Sequence, residues 1–271
     1  MPKPKEKKSL VDLKNNLTDK YVAFIDVMGF KNLVDRKRID DLETYFSRIT
    51  EILEEIKRDK ATIASLMISD SIILIAPDTL EDFTKLLTAI RRIQSALLNK
   101  KILMRGAVSF GQVFYDQTKN IIVGKGYIRA FQLESEAKYP RVILDPLIIK
   151  KLGADKADFL EQINGNDSYT FEDRMIYEHR EFTRLPDDAI FIDYANKIIR
   201  KHNVTSTMRS VHEMIIDNLY QEQSLYSKYI WLRDYFYECL KWTYIQIEED
   251  ESVLKRHKTN IEQWKDKFDR L

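Results

Sequence analysis

Two aspartates are the first residues in this sequence that could do chemistry, because each interrupts an otherwise apolar run. Asp26 follows the apolar run 21–25 and precedes a turn centred on Gly29, a pattern typical of a buried strand that leads towards a helix. Asp70 lies in the middle of a second apolar run, 65–75, where a hairpin turn is expected. A carboxylate at the end of a core strand costs free energy unless something binds it, and a metal ion is the simplest partner.

The elements between the two aspartates are expected to bring them together. One amphipathic helix separates them, and in a strand–helix–hairpin arrangement the first strand and the hairpin are neighbours. Asp26 and Asp70 should then face each other across adjacent strands. Two hard oxygen ligands side by side suit Mg²⁺ or Mn²⁺, which take their remaining ligands from water and a triphosphate. The competing interpretation, in which both acids are solvated turn residues, stays open at this point.

The turn after Asp26 offers further contacts to a phosphate. Residues 28–31 lie at the expected start of a helix, where backbone N–H groups can bind phosphate oxygens. Gly29 would let that backbone approach the ligand closely. Phe30 and Lys31 are therefore candidate substrate-binding residues, Lys31 through its positive charge.

Composition and charge limit the classes of protein that this chain can be. Its 271 residues are enough for one large domain, or for one domain with an appendage. Lys and Arg number 44 against 43 Asp and Glu, so no overall basic charge indicates nucleic acid as a partner. The charged start, 1–8, predicts neither a signal peptide nor a membrane anchor. The single cysteine, Cys239, lies among aromatic residues, predicts no disulfide framework and fits a reducing cytoplasm.

Apolar periodicity predicts alternating strands and helices over the first 150 residues. Helical patterns are expected over about 41–60, 78–98 and 127–137, and another helix should begin at the pair Asp145-Pro146. Strand patterns are expected at 21–27, in the hairpin 62–76, and over 102–115, 121–123 and 140–144. This order predicts an α+β fold of ferredoxin-like type, with helices on one face of an antiparallel-rich sheet.

Two glycines indicate an irregularity in the fourth predicted strand. The alternation over 102–115 is imperfect around Gly106 and Gly111, which predicts a strand broken by a bend or bulge.

Beyond Gly153 the pattern becomes helical. The loop 164–168 and the charged stretch 169–184, which could form a short hairpin, precede residues 189–194, which predict a strand or the opening of a helix that continues to His202. From Ser206 onward two long helical patterns dominate, and the richer one, over 226–247, is aromatic on more than one side. That pattern predicts burial on two sides, as in an appendage that braces the sheet domain or a second subunit.

Four motifs in this chain resemble the class III nucleotidyl cyclases. Their order and spacing make the resemblance more specific than any single motif, and it covers roughly residues 20–150. They are AFIDVMGF at 23–30 and MISDS at 67–71, similar to the family's two metal motifs, RGAVSFG at 105–111, similar to its central strand, and GKGYIRAFQLE at 124–134, similar to the helix that ends in Leu-Glu.

A weaker second resemblance concerns the C-terminal part. With the sequence KYIWL at 228–232, it looks like the C-terminal helical part of the bacterial pyrimidine cyclases of the Pycsar anti-phage system. That resemblance implies UTP or CTP as substrate, cyclic UMP or cyclic CMP as an alarm signal, and a separate effector protein that reads the signal. The charged start, the cyclase-like motifs and the C-terminal helical pattern together predict three segments: a flexible basic tail at 1–19, a nucleotide cyclase catalytic domain at 20–204 and a C-terminal helical extension at 205–271.

The class III resemblance implies a mechanism and a set of residues. Asp26 and Asp70 would bind two divalent ions, Mn²⁺ or Mg²⁺, and the carbonyl of Val27 would assist one of them. One ion would activate the ribose 3′-hydroxyl for attack on the α-phosphate, and the other would hold the β- and γ-phosphates as pyrophosphate leaves. The family also implies a head-to-tail homodimer in which each site takes residues from both chains.

Two positions depart from the family's pattern. The purine cyclases carry an Asn and, four residues on, an Arg in the helix 124–134, whereas this chain has Ile128 and Gln132 there. The departure argues against a standard adenylyl or guanylyl cyclase, and another cation must meet the charge that develops in the transition state. The candidate cations are Arg105, Lys125, Arg129, Lys138 and Arg141, of which we assign Arg105, Lys125 and Arg129 to substrate binding.

Two alternatives to a pyrimidine cyclase remain open from the sequence. The first is a catalytically degenerate cyclase-fold module that binds a nucleotide or a partner, favoured by the missing Asn/Arg pair but not by the two retained aspartates. The second is a purine cyclase with a rebuilt base pocket. A cyclic-dinucleotide synthase is disfavoured because its Gly-Gly-Asp/Glu-Glu-Phe turn does not occur in the sequence.

Overall fold

One six-stranded sheet and nine helices make up the part of the chain that the structure, a computed structural model, describes. The described residues are 16–30, 34, 39–58, 62–165, 174–179, 182–199, 204–248 and 255–271. The strands are β1 (Thr18–Val27), β2 (Ala64–Ile68), β3 (Ser71–Pro77), β4 (Met104–Asp116), β5 (Ile121–Val123) and β6 (Val142–Leu144). The helices of the sheet region are α1 (Ile39–Arg58), α2 (Leu80–Leu98), α3 (Lys125–Glu136), α4 (Pro146–Leu152) and α5 (Lys156–Asn164). The predicted α+β class and the predicted order of elements are confirmed.

The central strand of the sheet is β1. It pairs antiparallel with β3 on one side and with β4 on the other, and the path through the sheet runs β2-β3-β1-β4-β5. β6 pairs with β4 in parallel, and every other pairing in the sheet is antiparallel. Asp26, one residue before the end of β1, therefore has a neighbouring strand on each side.

Helices cover both faces of the sheet, which corrects the prediction that they lie on one. Odd-numbered residues of β1 such as Tyr21 and Ile25 pack in a core with α1 and α2. Even-numbered residues point to the other face, where the ring of Phe24 lies 5.2 Å from that of Phe131 in α3. We call the two sides the α1/α2 face and the α3 face. The difference arises because the period of a helix predicts an apolar stripe but not the sheet face that receives it.

The fourth strand is continuous over 13 residues, so the predicted break at its glycines is wrong. Both glycines instead permit close approach. A Cβ atom at Gly106 would collide with the carbonyl oxygen of Phe24 in β1, and a Cβ at Gly111 would lie 3.2 Å from the backbone nitrogen of Gly126 in α3. Glycine in a strand commonly marks such contacts as well as bends.

Residues 189–194 form neither a full strand nor a helix. Phe191 and Ile192 make isolated bridges to Ile143 and Ile176, and the next helix, α6 (Asn196–Ile199), begins only afterwards. Residues 166–173, 180 and 181 of the predicted loop and charged stretch, and the predicted helix end at 200–202, lie outside the described residues. Residues 1–15 of the predicted N-terminal tail do too, whereas Thr18 and Asp19 belong to β1.

Three further helices form the C-terminal part. They are α7 (Val204–Asn218), α8 (Gln223–Glu248) and α9 (Lys255–Asp269). The predicted burial of α8 on two sides is confirmed: its side chains share one core with α7, α9 and residues of the sheet region such as Ala107 and Ile143. Cys239 is a buried member of this core, as predicted. Within the described ranges, no helix is both long enough and apolar enough to cross a bilayer.

Arg141 joins the C-terminal part to the sheet. Its guanidinium is buried, forms two hydrogen bonds of 2.6 and 2.7 Å to Asp187, and lies 5.1 to 5.7 Å from the ring centres of Tyr139, Phe191 and Trp231. The indole of Trp231 in α8 in turn stacks on Tyr139, with ring centres 5.6 Å apart. Planar contacts of this kind suit the guanidinium group. Arg141 is therefore occupied in the core, although the sequence offered it as a candidate cation.

Candidate functional site

Asp26 lies one residue before the end of the central strand. In the register of the sheet it is opposite Ser71 in β3 and Arg105 in β4. Residues directly opposite in antiparallel strands point to the same face, so Asp26 and Arg105 both lie on the α3 face. The hydroxyl of Ser71 donates a long hydrogen bond of 3.4 Å to Oδ1 of Asp26.

Asp70 lies in the tight turn that joins β2 to β3. The preceding residue, Ser69, has a left-handed backbone with φ of 56°, which directs the chain back into β3. The hydroxyl of Tyr45 in α1 donates to the backbone oxygen of Asp70 over 3.2 Å. Burial, followed by the charges of Asp70 and Asp26, raises the pKa of Tyr45, so its hydroxyl keeps its proton and remains a donor. Tyr45 thus links the first helix to the turn that carries the acid.

The carboxylates of Asp26 and Asp70 lie close enough for Asp70 to affect the ionisation of Asp26. The pKa of Asp26 is raised to about 6, first by desolvation, then by the negative charge of Asp70 and that of Glu134, and finally by a hydrogen bond to Asp70. The charge of Arg105 acts in the opposite direction. A carboxyl group with so high a pKa has too little positive charge around it, which is the condition that a bound cation relieves.

Glu134 and Arg105 form an ion pair beside Asp26. Glu134 lies in the last turn of α3, is only 8% exposed, and its Oε1 contacts Nε of Arg105. Sequence reasoning named Arg105 but missed Glu134 as a site residue. One signal could have found it, because Glu134 follows the buried Ala130 by four residues and must therefore lie on the buried side of the helix.

The donor set at this end of the sheet fits a hard divalent cation. Among the described residues, neither Asp26 nor Asp70 forms an ion pair with a lysine or arginine. Their carboxylate oxygens are therefore available to a metal ion. In the same ranges no group of three or more His, Cys, Asp or Glu side chains is arranged to hold a metal. Two carboxylates and the Val27 carbonyl, completed by water and phosphate oxygens, suit Mg²⁺ or Mn²⁺ better than Zn²⁺.

We expect the metal-free Asp26→Asn variant to be more stable than the parent at about pH 7.5, and the difference to shrink towards about pH 4. The folded-state pKa of about 6 exceeds the ordinary 3.8. The folded state therefore binds the proton more tightly, and stability falls as the pH rises from about 4 to 6. After allowance for solvent at this half-buried site, the loss is on the order of 1–2 kcal/mol.

Urea unfolding in the presence of a chelator measures this difference. The conservative control is Asp19→Asn, an exposed residue of the same strand, which should not change the pH dependence. Parallel stability profiles of the parent and Asp26→Asn from about pH 4 to 7.5 would contradict the expectation.

The other predicted substrate-binding residues lie in different places. Phe30 is partly buried against α1, with its ring 6.0 Å from that of Tyr45. Lys31 lies outside the described residues. Arg129 forms an ion pair of 2.8 Å with the buried Asp145, whose carboxylate also caps α4 by accepting from the N–H of Leu147.

Lys125 is distant from the acid pair of its own chain, and Arg129 lies between Lys125 and Glu134 along the same helix. Helix α3 runs along β4 in the opposite direction, with Gly126 beside Gly111 at one end and Glu134 beside Arg105 at the other. The eight helical residues from Gly126 to Glu134 correspond to about 12 Å along the helix axis. Lys125, exposed at the start of α3, therefore lies at the far end of the sheet from Asp26.

Comparisons with known proteins found similarities among solved structures alone. No protein-family model matches the chain, and no curated protein matches it. The guanylyl cyclase Cya2 is 13% identical over 65% of this chain and 91% of its own, with a TM-score of 0.43. The catalytic core of a rhodopsin-guanylyl cyclase with converted specificity, in complex with ATPαS, is 14% identical over 65% of this chain and 96% of its own, with a TM-score of 0.43. The adenylyl cyclase CyaB from P. aeruginosa is 18% identical over 50% of this chain and 82% of its own, with a TM-score of 0.37.

Proposed function

We propose that this chain is a divalent-metal-dependent nucleotidyl cyclase that converts a nucleoside triphosphate to a 3′,5′-cyclic nucleotide and pyrophosphate. One observation carries the proposal: Asp26 and Asp70, from distant points of the sequence, meet at one end of the central strand without an ion-pair partner for either in the described part of the chain. The raised pKa of Asp26 and the turn that follows it support the same conclusion.

In this proposal the residues near the acid pair bind the metal ions and the triphosphate. Asp26, Asp70 and the carbonyl of Val27 would hold two Mn²⁺ or Mg²⁺ ions, which when bound supply Lewis acidity to the ribose hydroxyl and the phosphates. The 3′-hydroxyl would lose its proton to solvent water, its oxygen would bond to the α-phosphorus, the bond from that phosphorus to the bridging oxygen would break, and pyrophosphate would leave. Arg105, on the same face as Asp26, would meet the negative charge of the triphosphate.

We further propose a pyrimidine triphosphate, UTP or CTP, as substrate and cyclic UMP or cyclic CMP as product. The support lies in α3, where Ile128 and Gln132 stand in place of the Asn and Arg that the resembling purine cyclases carry. Both side chains are exposed, so they are available to a ligand or a partner, but Ile128 cannot form a hydrogen bond. The resemblance to the Pycsar cyclases supports a role as the signal generator of an anti-phage defence system in the cytoplasm, with a separate effector protein.

We also propose that the active form is a homodimer with sites at the interface. Apolar side chains are exposed on the α3 face: Ile68 is 54% exposed, Ile128 51% and Phe131 55%. A group of this kind on a sheet face is typical of a surface that another chain covers. Because Lys125 precedes Glu134 by nine helical residues, about 14 Å along the helix axis, we propose that it contributes to the site of a second copy.

The decisive test is incubation of the protein with each of the four nucleoside triphosphates and Mn²⁺, followed by detection of pyrophosphate and cyclic nucleotide. We expect product from UTP or CTP, and a specific activity that rises with protein concentration as the dimer forms. Product from ATP or GTP instead would identify a purine cyclase with a rebuilt pocket. No product from any of the four, at any protein concentration, would contradict the enzymatic proposal.

A second candidate function is a cyclase-fold module that binds a nucleotide but does not convert it. The observation that favours it is the replacement of two transition-state positions by Ile128 and Gln132, with Arg129 already paired to Asp145. Mn²⁺-dependent nucleotide binding by calorimetry, without pyrophosphate release, would select this candidate.

A further inference from the structure

Arg105 has carboxylates on two sides. Asp26 is directly opposite it in the neighbouring strand, and Glu134 reaches it from α3. We propose that Glu134 is a positioning residue: by pairing with Arg105 it keeps the guanidinium away from Asp26 and Asp70, so that both carboxylates remain available to cations. This inference rests on the proposed metal-dependent function.

The competition follows from the register of the sheet. Cβ atoms of residues directly opposite in an antiparallel pair are about 5 Å apart, so the long side chain of Arg105 can reach the carboxylate of Asp26. A guanidinium and a carboxylate form a strong two-pronged pair wherever their geometry permits it. Arg105 bound to Asp26 would occupy the oxygens that a divalent cation requires.

The burial of Glu134 explains why Arg105 stays with it. The side chain of Glu134 is 10% exposed and that of Arg105 is 30% exposed, so the ion pair is partly shielded from water. A buried carboxylate without a partner is costly, and charges attract more strongly where water is excluded. Asp26 and Asp70, by contrast, lie near the end of β1 and in the turn between β2 and β3, where a cation with its own water can replace the guanidinium.

If the ion pair between Glu134 and Arg105 were only structural, different effects of substitution would be expected. If Glu134 only fastened α3 to β4, removing its charge would lower stability but would not redirect Arg105 towards the acids. Removing Arg105 as well would then bring no recovery. The affinity for the metal ion, measured without any substrate, separates the two roles.

The experiment measures the dissociation constant of Mn²⁺ by the electron paramagnetic resonance signal of the free ion. We expect Glu134→Gln to weaken binding at least about tenfold, and the double variant Glu134→Gln with Arg105→Gln to return to within about threefold of the parent. Arg105→Gln alone should bind Mn²⁺ at least as tightly as the parent, because the competing cation is gone. The matched control is Glu136→Gln, an exposed glutamate two residues further along α3, which should bind as the parent does.

Each contrary outcome has a distinct meaning. Parent-like binding by Glu134→Gln, or no recovery in the double variant, would overturn the positioning role and leave the proposed function intact. Should Glu134→Gln not fold, as judged by circular dichroism, weakened binding by Arg105→Gln alone would overturn the role. If the parent itself bound no Mn²⁺, the proposed metal site and this role would both be wrong.

Discussion

Asp26→Asn and Asp70→Asn are each expected to lower the rate of cyclic nucleotide formation about a thousand-fold or more. Each substitution removes one of the two carboxylates that meet at the end of β1. Metal ions supply several kcal/mol of transition-state stabilisation, and about 1.4 kcal/mol corresponds to a factor of ten in rate. The measurement is pyrophosphate release under saturating Mn²⁺ with the preferred triphosphate.

Two controls distinguish lost chemistry from lost structure. Asp19→Asn, in the exposed part of β1, should retain the parent rate. The circular dichroism spectra of Asp26→Asn and Asp70→Asn should match the parent, because removing one of two neighbouring carboxylates relieves repulsion in the metal-free state. A rate loss below about tenfold for either variant would show that this aspartate does not hold the catalytic cation.

Trp231→Ala is expected to lower the free energy of unfolding by about 4 kcal/mol, since removal of a fully buried aromatic side chain typically costs 3–5 kcal/mol. Trp231 is 1% exposed, stacks on Tyr139, and lies against Arg141 and Phe191. Its loss opens a cavity between the C-terminal helices and the sheet region. Urea denaturation followed by far-ultraviolet circular dichroism measures the difference.

The control for this variant lies on the same helix. Tyr226→Ala, at a position that is 39% exposed, should change the free energy of unfolding by less than about 1 kcal/mol. Because one core contains residues of both parts, the parent should unfold in a single transition. Two separate transitions, with only the helical one affected by Trp231→Ala, would show that the C-terminal helices are an independent unit; the segment boundary at 204/205 stays a prediction until then.

Strong periodicity made most of the first 150 residues predictable from sequence. The run 21–27 and the hairpin around Asp70 are short apolar segments next to turn-forming residues, and such local patterns determine both the strand and its neighbour. The expectation that the two acids lie close together came from this topology. The geometry of the side chains in α3 did not, because no local pattern reveals which sheet face a helix covers.

Closeness in sequence is a poor guide to closeness in space in α3. Lys125 belongs to the same motif as Glu134, yet the direction of α3 places it towards the opposite end of β4. Glu134 was missed because its partner, Arg105, lies 29 positions earlier in the chain. Pairings of this kind depend on tertiary packing, which a single sequence does not display.

The placement of the tryptophans has a practical consequence. All three, Trp231, Trp242 and Trp264, belong to α8 and α9, and none lies in a strand of the sheet. Indole fluorescence will therefore follow the docking of the C-terminal helices and will be almost silent to events around Asp26. The chain therefore carries its own fluorescence probe for the C-terminal helices. A probe of the acid pair would have to be introduced near Asp26.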